Sequence, residues 1–302
     1  MNNKALFVFA ILWFCFVIKS DAQFGVLPNP VFGRKYTIGE TYRYKLILKE
    51  YHDDKLAIVS TSVCEMKVVA DEKGVPYDEI HWLSNKISYD GQKVKDRSDK
   101  ALQVKPYRIS LDTRGLINLP KIDVWEMTEA IQDFNTFFVA VGPQFPGMDD
   151  MTKKGDSLAV GFPVIGNFSN GTTILKGQDA LAMGFKIKDV NERYVILSTS
   201  FMPLNKPVLA YIVSEMDKPV VPGTVNNFQM VAPADNGLFT IQYGREYFTI
   251  TNTIRKSDGK IVKGEMFNCI NTILMSNCDA NYQNPASVKP YSERRLLTIE
   301  LL

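Results

Sequence analysis

The chain has 302 residues, 45% of them hydrophobic and 23% charged, with 35 Lys and Arg against 33 Asp and Glu. Those fractions belong to a folded globular protein and exclude a disordered chain, a collagen-like fibre and a multi-span helical membrane protein. A net charge of +2 lacks the basic excess of a nucleic-acid binder, so no nucleic acid is expected as a partner.

Residues 1–22 read as a secretory signal. Lys4 supplies the positive start, and Ala5 to Ile18 is apolar throughout, shorter than the ~20 residues that span a bilayer. Ser20-Asp21-Ala22 places small residues before a cut at Gln23. An uncleaved anchor is the competing reading. The expected product, residues 23–302, is a single β-rich unit exported to a periplasm, to the extracellular space or to the cell surface. It retains Cys64, Cys269 and Cys278. In an oxidising compartment Cys269 and Cys278 are candidates for a disulfide closing a short strand-turn-strand loop, and Cys64 reads as a small buried hydrophobe.

Period-two alternation then dominates. Residues 40–51 place Tyr42, Tyr44, Leu46 and Leu48 on one face, and residues 55–69 place Leu56, Ile58, Cys64, Met66 and Val68 in one phase. Further strands are expected at 77–87 and 107–111, with a charged loop at 89–102. Asp112-Thr113-Arg114-Gly115 should turn the chain into a strand at 116–119. The period changes once. Val124, Met127, Ile131, Phe134, Phe138 and Val141 recur every three or four residues, which is one face of an α-helix. The spacing predicts a helix over 123–141, capped by Asp123 and ended by Gly142-Pro143. Beyond it, strands are expected at 156–162, 179–189, 193–202, 226–232, 237–243, 246–256, 260–268 and 290–301. Asp258-Gly259 makes a hairpin turn, and a proline-rich surface loop is expected over 203–223.

Internal similarity is faint. Ile58-Val59-Ser60-Thr61-Ser62 matches Ile196-Leu197-Ser198-Thr199-Ser200, and Gly39-Glu40 and Gly155-Asp156 each precede a strand. Chance and a duplication into repeats 38–142 and 153–302 both account for this. The fold class is mainly β or α+β: curved antiparallel sheets, on the duplication reading a duplicated half-barrel, packed against one long helix.

The chemistry available is narrow. His52 and His81 are the chain's two histidines, they do not stand at metal-ligand spacing, and no G-x-S-x-G elbow supports a hydrolase. Ser257-Asp258-Gly259-Lys260 matches S-x-x-K but falls on a hairpin turn. Asp53-Asp54 and Asp149-Asp150 lack calcium-loop spacing and read as solvated turns. No glycine-rich phosphate loop opens a helix. The expectation is therefore a non-enzyme with no catalytic residue, no metal and no cofactor. Asn167-Phe168-Ser169 and Asn170-Gly171-Thr172 are adjacent sequons in a polar turn. Aromatic residues remain. Tyr42, Tyr44, Trp125, Phe134 and Phe138 would line an apolar pocket between helix and sheet, or fill an ordinary core.

The residues Gly39-Glu40-Thr41-Tyr42-Arg43-Tyr44, Leu111-Asp112-Thr113-Arg114-Gly115 and Ser257-Asp258-Gly259-Lys260 sit in a pattern similar to the periplasmic lipoprotein carriers and their half-barrel relatives. The pattern also resembles the exported, strand-rich proteins of unknown function of Bacteroidota. The likeness to the carriers implies a sheet-and-helix cavity holding acyl chains; it carries over no binding residue, and fold analogy does not establish function. Two readings follow. One is an exported non-enzymatic protein binding a lipid or other apolar ligand. The other is a structural or interaction protein of the cell envelope, with a filled core and an envelope protein as partner.

Overall fold

The structure is a computed structural model that describes residues 31–115, 117, 122–142, 145–167, 173–201, 208–211 and 228–302. The expected signal at 1–22 lies outside these residues. Three antiparallel meanders make up most of it: β1 (Thr41–His52), β2 (Lys55–Ala70) and β3 (Pro76–Tyr89); β6 (Ser157–Asn167), β7 (Thr173–Val190) and β8 (Tyr194–Phe201); β11 (Phe239–Arg255), β12 (Ile261–Cys278) and β13 (Ser287–Leu301). Short strands β4 (Lys95–Asp96) and β5 (Tyr107–Ile109) pair with β3, and β9 (Val208–Tyr211) and β10 (Phe228–Pro233) extend from β11. All join one open, curved sheet in the order β4-β3-β2-β1-β13-β12-β11-β8-β7-β6. The mainly-β expectation with one long helix therefore holds.

The meander order seats the last strand beside the first. β1 and β13 run antiparallel from Tyr44 opposite Leu301 to His52 opposite Glu293. Tyr44, Leu46 and Leu48 of β1 and Leu297 and Ile299 of β13 are buried in one cluster. The alternation read from the sequence is thus the inner face of the sheet. Leu56, expected inward, is 44% exposed; the β1–β2 register shifts at Glu50/Tyr51, and beyond such an irregularity the inward phase is not carried over.

The helix is shorter than expected. A 3-10 turn at Trp125–Met127 leads into α2 (Thr128–Val139), which follows the four-residue α1 (Ser98–Ala101) in the chain. Asp123 does not cap it: no side chain caps the turn or α2, and Asp123 instead lies 3.6 Å from Lys105. The helix is also buried over more than its apolar stripe. Gln132, Asp133, Asn135 and Phe137 are as enclosed as Ile131 and Phe134, because Tyr107, Ile109, Leu111, Phe145, Met148 and Met151 join the same cluster.

Other boundaries moved. Residues 237–243 and 246–256 form one strand, β11, running through Gly244. A Cβ there would stand 2.3 Å from the Asn271 carbonyl oxygen, so glycine keeps the strands in register instead of ending one. The expected loop at 203–223 contains β9, and the loop at 89–102 contains β4 and α1. Of the strand expected at 116–119, Ile117 is described, bridging Ile109. Asn167 ends β6, while the rest of the two sequons lies outside the described residues. As for the internal similarity, Ile58–Ser62 falls on the second strand of its meander and Ile196–Ser200 on the third.

The disulfide expectation is corrected. Cys64, Cys269 and Cys278 are free and buried. Cys269 and Cys278 stand on one uninterrupted strand, β12. Nine residues at about 3.3 Å each separate them by roughly 30 Å, far beyond a disulfide's reach of about 7 Å between Cα atoms. Among the described residues no helix is long and apolar enough to cross a membrane.

Candidate functional site

Three of the five aromatic residues singled out in the sequence, Tyr44, Phe134 and Phe138, meet where the helix crosses the sheet. Phe134 and Phe138, one turn apart on α2, are buried with their ring centres 5.0 Å apart. Tyr44 of β1 sits edge-on to both at 5.7 Å, and Trp82 of β3 stands edge-on to Phe134 at 5.5 Å. Such edge-to-face pairs contribute about 0.5–1.5 kcal/mol each beyond area burial. The Tyr44 hydroxyl donates to the Ile261 carbonyl at 2.7 Å. Tyr42 packs on Tyr44 at 5.8 Å but points its hydroxyl at Asp78, 2.6 Å away. Trp125 is not part of the group: it is 65% exposed.

The helix is fixed to the sheet by polar contacts. Asn252 of β11 donates to the Phe137 carbonyl at 2.8 Å, and Thr199 of β8 donates to the Ala140 carbonyl at 2.6 Å. Those carbonyls belong to the end of the helix, where intrahelical donors run out. Gly264 of β12 lies directly beneath: a Cβ there would stand 2.6 Å from Cδ1 of Phe137.

At the other end of α2 is a buried charge cluster that sequence reasoning missed. Arg295 of β13 is fully buried. Its guanidinium donates to both oxygens of Asp133, at 3.1 and 2.6 Å, and to Glu129 at 2.6 Å. Its Nε lies 3.6 Å from Glu50 and 3.8 Å from Glu293. The register explains the gathering. Glu50 is directly opposite Arg295, and His52 directly opposite Glu293, so the two cross-strand pairs continue the inward ladder of Leu48 with Leu297 and Leu46 with Ile299. Asp133 and Glu129, one turn apart, reach down from α2.

Glu129, Asp133 and Glu293, crowded around one guanidinium, compete for ionisation. Burial, with Glu50 adding to it, pushes Glu293 up to about 8 against the pull of Arg295. Burial likewise raises Glu129 to about 7, with Asp133 and Glu50 adding to the effect, and raises Asp133 above the usual carboxylate range. Arg295 would lose affinity for its proton through burial alone, but Asp133, Glu129, Glu50 and Glu293 more than reverse this. His52 sits at the rim with its side chain 35% exposed and its Nε2 2.5 Å from Glu50; that hydrogen bond raises its pKa. The Tyr291 hydroxyl donates to Glu293 at 3.0 Å. Further along the same face, Asn268 of β12 donates to Glu246 of β11 at 3.0 Å, and burial pushes Glu246 up to about 7.

A second cluster straps the segment before β1 to the sheet. The Arg34 guanidinium lies over Tyr36 and Tyr42, at 4.4 and 5.5 Å, and 3.4 Å from Asp78. Lys260 caps the Tyr42 ring at 4.3 Å and pairs with Glu40. Gly259, with φ of 70°, is bare because a Cβ would meet the Gly33 carbonyl oxygen at 2.3 Å. Tyr42 therefore serves this strap rather than an apolar lining.

His81 lies apart from both clusters, 3.1 Å from Glu79, which Arg108 also engages at 2.8 Å. Asp53 and Asp54 form the β1–β2 turn with φ of 45° and 66°, the left-handed pair a two-residue hairpin needs, and Asp54 pairs with Arg294 at 2.6 Å.

No family model and no curated protein matches the chain. Among solved structures, the chain is similar to MucB in complex with MucA(peri) at 7% identity and a TM-score of 0.14, covering 86% of this chain and 89% of that one. It is similar to the Pseudomonas aeruginosa MucA/MucB complex at 7% identity and the same score, covering 87% and 89%. Likeness at that score carries no argument about fold or function.

Proposed function

We propose that the chain is an exported, non-enzymatic interaction protein of the cell envelope whose helix-to-sheet seam is a filled core rather than a lipid cavity. The packing of Phe134 and Phe138 against Tyr44 and Trp82 carries this reading. These rings occupy one another's edges, and the helix above them is tied to β8, β11 and β13 by hydrogen bonds and ion pairs. Opening such a seam for an acyl chain requires breaking buried polar contacts as well as ring packing. The surface offered to a partner is the ridge where α1 meets the turn before α2. Leu102 and Trp125 are 68% and 65% exposed there, beside the Lys100–Glu126 and Lys105–Asp123 pairs. An exposed tryptophan rimmed by charges has the composition of an interaction surface.

Native mass spectrometry of the protein purified from an envelope without detergent tests it. A mass with no adduct extractable into organic solvent is expected. A reproducible adduct extractable into organic solvent, and lost in Phe138→Leu at unchanged stability, would restore the lipid-carrier reading and overturn this one.

A further inference from the structure

The far end of the β1–β13 ladder gathers metal-ligating atoms. Glu50, His52 and Glu293 each offer one, and these atoms lie within 4.8 Å of one another. Two come from alternate residues of β1 and the third from the residue of β13 facing His52, so the backbone fixes all three on one face. Glu50 and Glu293 are fully buried. One oxygen of each, Oε2 of Glu50 and Oε1 of Glu293, has no hydrogen-bond partner, although a buried carboxylate oxygen is costly to leave unbonded. Arg295 pairs with both electrostatically but hydrogen-bonds neither. Its Nη atoms are committed to Asp133 and Glu129, and its Nε, itself without a hydrogen-bond partner, lies 3.6 Å from the Glu50 oxygen and 3.8 Å from the Glu293 oxygen. The charges point the same way. One guanidinium serves four acidic side chains, and a dication would add positive charge where they crowd.

We propose that Glu50, His52 and Glu293 bind a divalent transition-metal cation of the Zn²⁺ class. One imidazole nitrogen and two carboxylate oxygens form a borderline ligand set that suits Zn²⁺. They are too few oxygens for Ca²⁺, which takes six to eight, or for the octahedral demand of Mg²⁺. Zn²⁺ bonds of about 2.0–2.2 Å place ligand atoms roughly 3.4 Å apart in a tetrahedron. Side-chain rotation that shortens their present separation of up to 4.8 Å would reach that spacing. The partly exposed His52 side chain provides the way in from solvent. Tyr291, hydrogen-bonded to Glu293, orients one ligand from behind, as outer-shell partners do. The fourth position is left to water. The bound ion ties β1 to β13, its neighbour in the sheet, independently of any partner bound at Trp125.

The test uses the purified full chain, stripped with EDTA, dialysed, and titrated with ZnCl₂ by calorimetry, with CoCl₂ as a spectroscopic probe. One equivalent of Zn²⁺ should bind with a Kd in the micromolar range or tighter, Co²⁺ should develop visible ligand-field absorption, and CaCl₂ and MgCl₂ should give no heat. His52→Ala, a change at the rim, should keep the melting temperature of the EDTA-treated protein and weaken Zn²⁺ at least 100-fold; Glu293→Gln should do the same to the affinity. Absence of Zn²⁺ binding by the native chain, or unchanged affinity in a folded His52→Ala, would overturn the site.

Discussion

Arg295 and Asp133 form the shortest buried ion pair between helix and sheet, yet removing one partner should cost far more than removing the other. Arg295→Met keeps volume and deletes the single cation. It strands Asp133, Glu129, Glu50 and Glu293, which lie between 2.6 and 3.8 Å from the guanidinium. Breaking a buried pair from one side costs about 3–5 kcal/mol, and the upper end applies where several like charges are left facing one another. Asp133→Asn deletes one attraction to Arg295. It also relieves the repulsion that raises Glu129, and the amide oxygen still accepts from the guanidinium. At an effective dielectric near 20, attraction and repulsion between charges about 4 Å apart are each of order 4 kcal/mol and largely cancel, so the net loss should be that of a weakened hydrogen bond, about 1 kcal/mol. Urea unfolding at pH 7.5 in EDTA, with a common m value, reads both. Arg295→Lys, which keeps the charge without the fork, should fall between them. Equal losses for Asp133→Asn and Arg295→Met would refute the picture of one cation under an excess of carboxylates and leave an ordinary one-to-one salt bridge.

Phe134→Ala should destabilise by about 3–5 kcal/mol, as for a ring enclosed on all sides, whereas Trp125→Ala should change stability by less than about 0.5 kcal/mol; a Trp125 cost comparable to that of Phe134 contradicts its exposed position. Gly264→Ala should cost about 1–3 kcal/mol, because the new Cβ meets Phe137, Asn252 and Ile299 at 2.6, 2.7 and 2.9 Å, and a melting temperature equal to wild type would show that the helix rides higher above β12. Glu246 has a folded-state pKa near 7 against an ordinary 4.5, raised first by burial. The folded protein therefore holds its proton more tightly than the unfolded chain, and stability falls as pH rises from about 4.5 through 7. Glu246→Gln, which can still accept from Asn268, should match wild type at pH 4.5 and exceed it by up to about 3 kcal/mol at pH 8; a pH-independent difference would remove burial as the cause.

The parts of the fold legible in the sequence are those set by local period. The alternation of Tyr44, Leu46 and Leu48 marked the inner face of β1, and the three-and-four spacing through Phe134 and Phe138 marked α2, because each is one side of a single element repeating at its own geometry. Boundaries set by neighbours were not legible. β12 runs on past residue 268 because β11 and β13 both pair with it as far as Leu274 and beyond, and nothing local ends it. The same continuity carries Cys269 away from Cys278. Asp123 fits the pattern of a helix cap, but the chain enters α2 through a 3-10 turn, and its carboxylate pairs with Lys105 instead.

The charge cluster was illegible for a related reason, although half of its signal is present in each strand. In β1 the inward phase runs Tyr44, Leu46, Leu48 and then Glu50, His52; in β13 it runs Ile299, Leu297 and then Arg295, Glu293. Each strand alone looks like an apolar ladder that ends at the water. Paired in register, the two polar ends fall opposite each other and α2 adds Asp133 and Glu129, so Glu50, Arg295 and Glu293 are buried. Charged residues that keep an apolar strand's phase are thus a readable signal of either an exposed strand end or a buried polar site, and the pairing partner decides which. Here that partner is separated from β1 by most of the chain. Its register rests on the three-meander order of the sheet, a long-range outcome of packing to which no local period points.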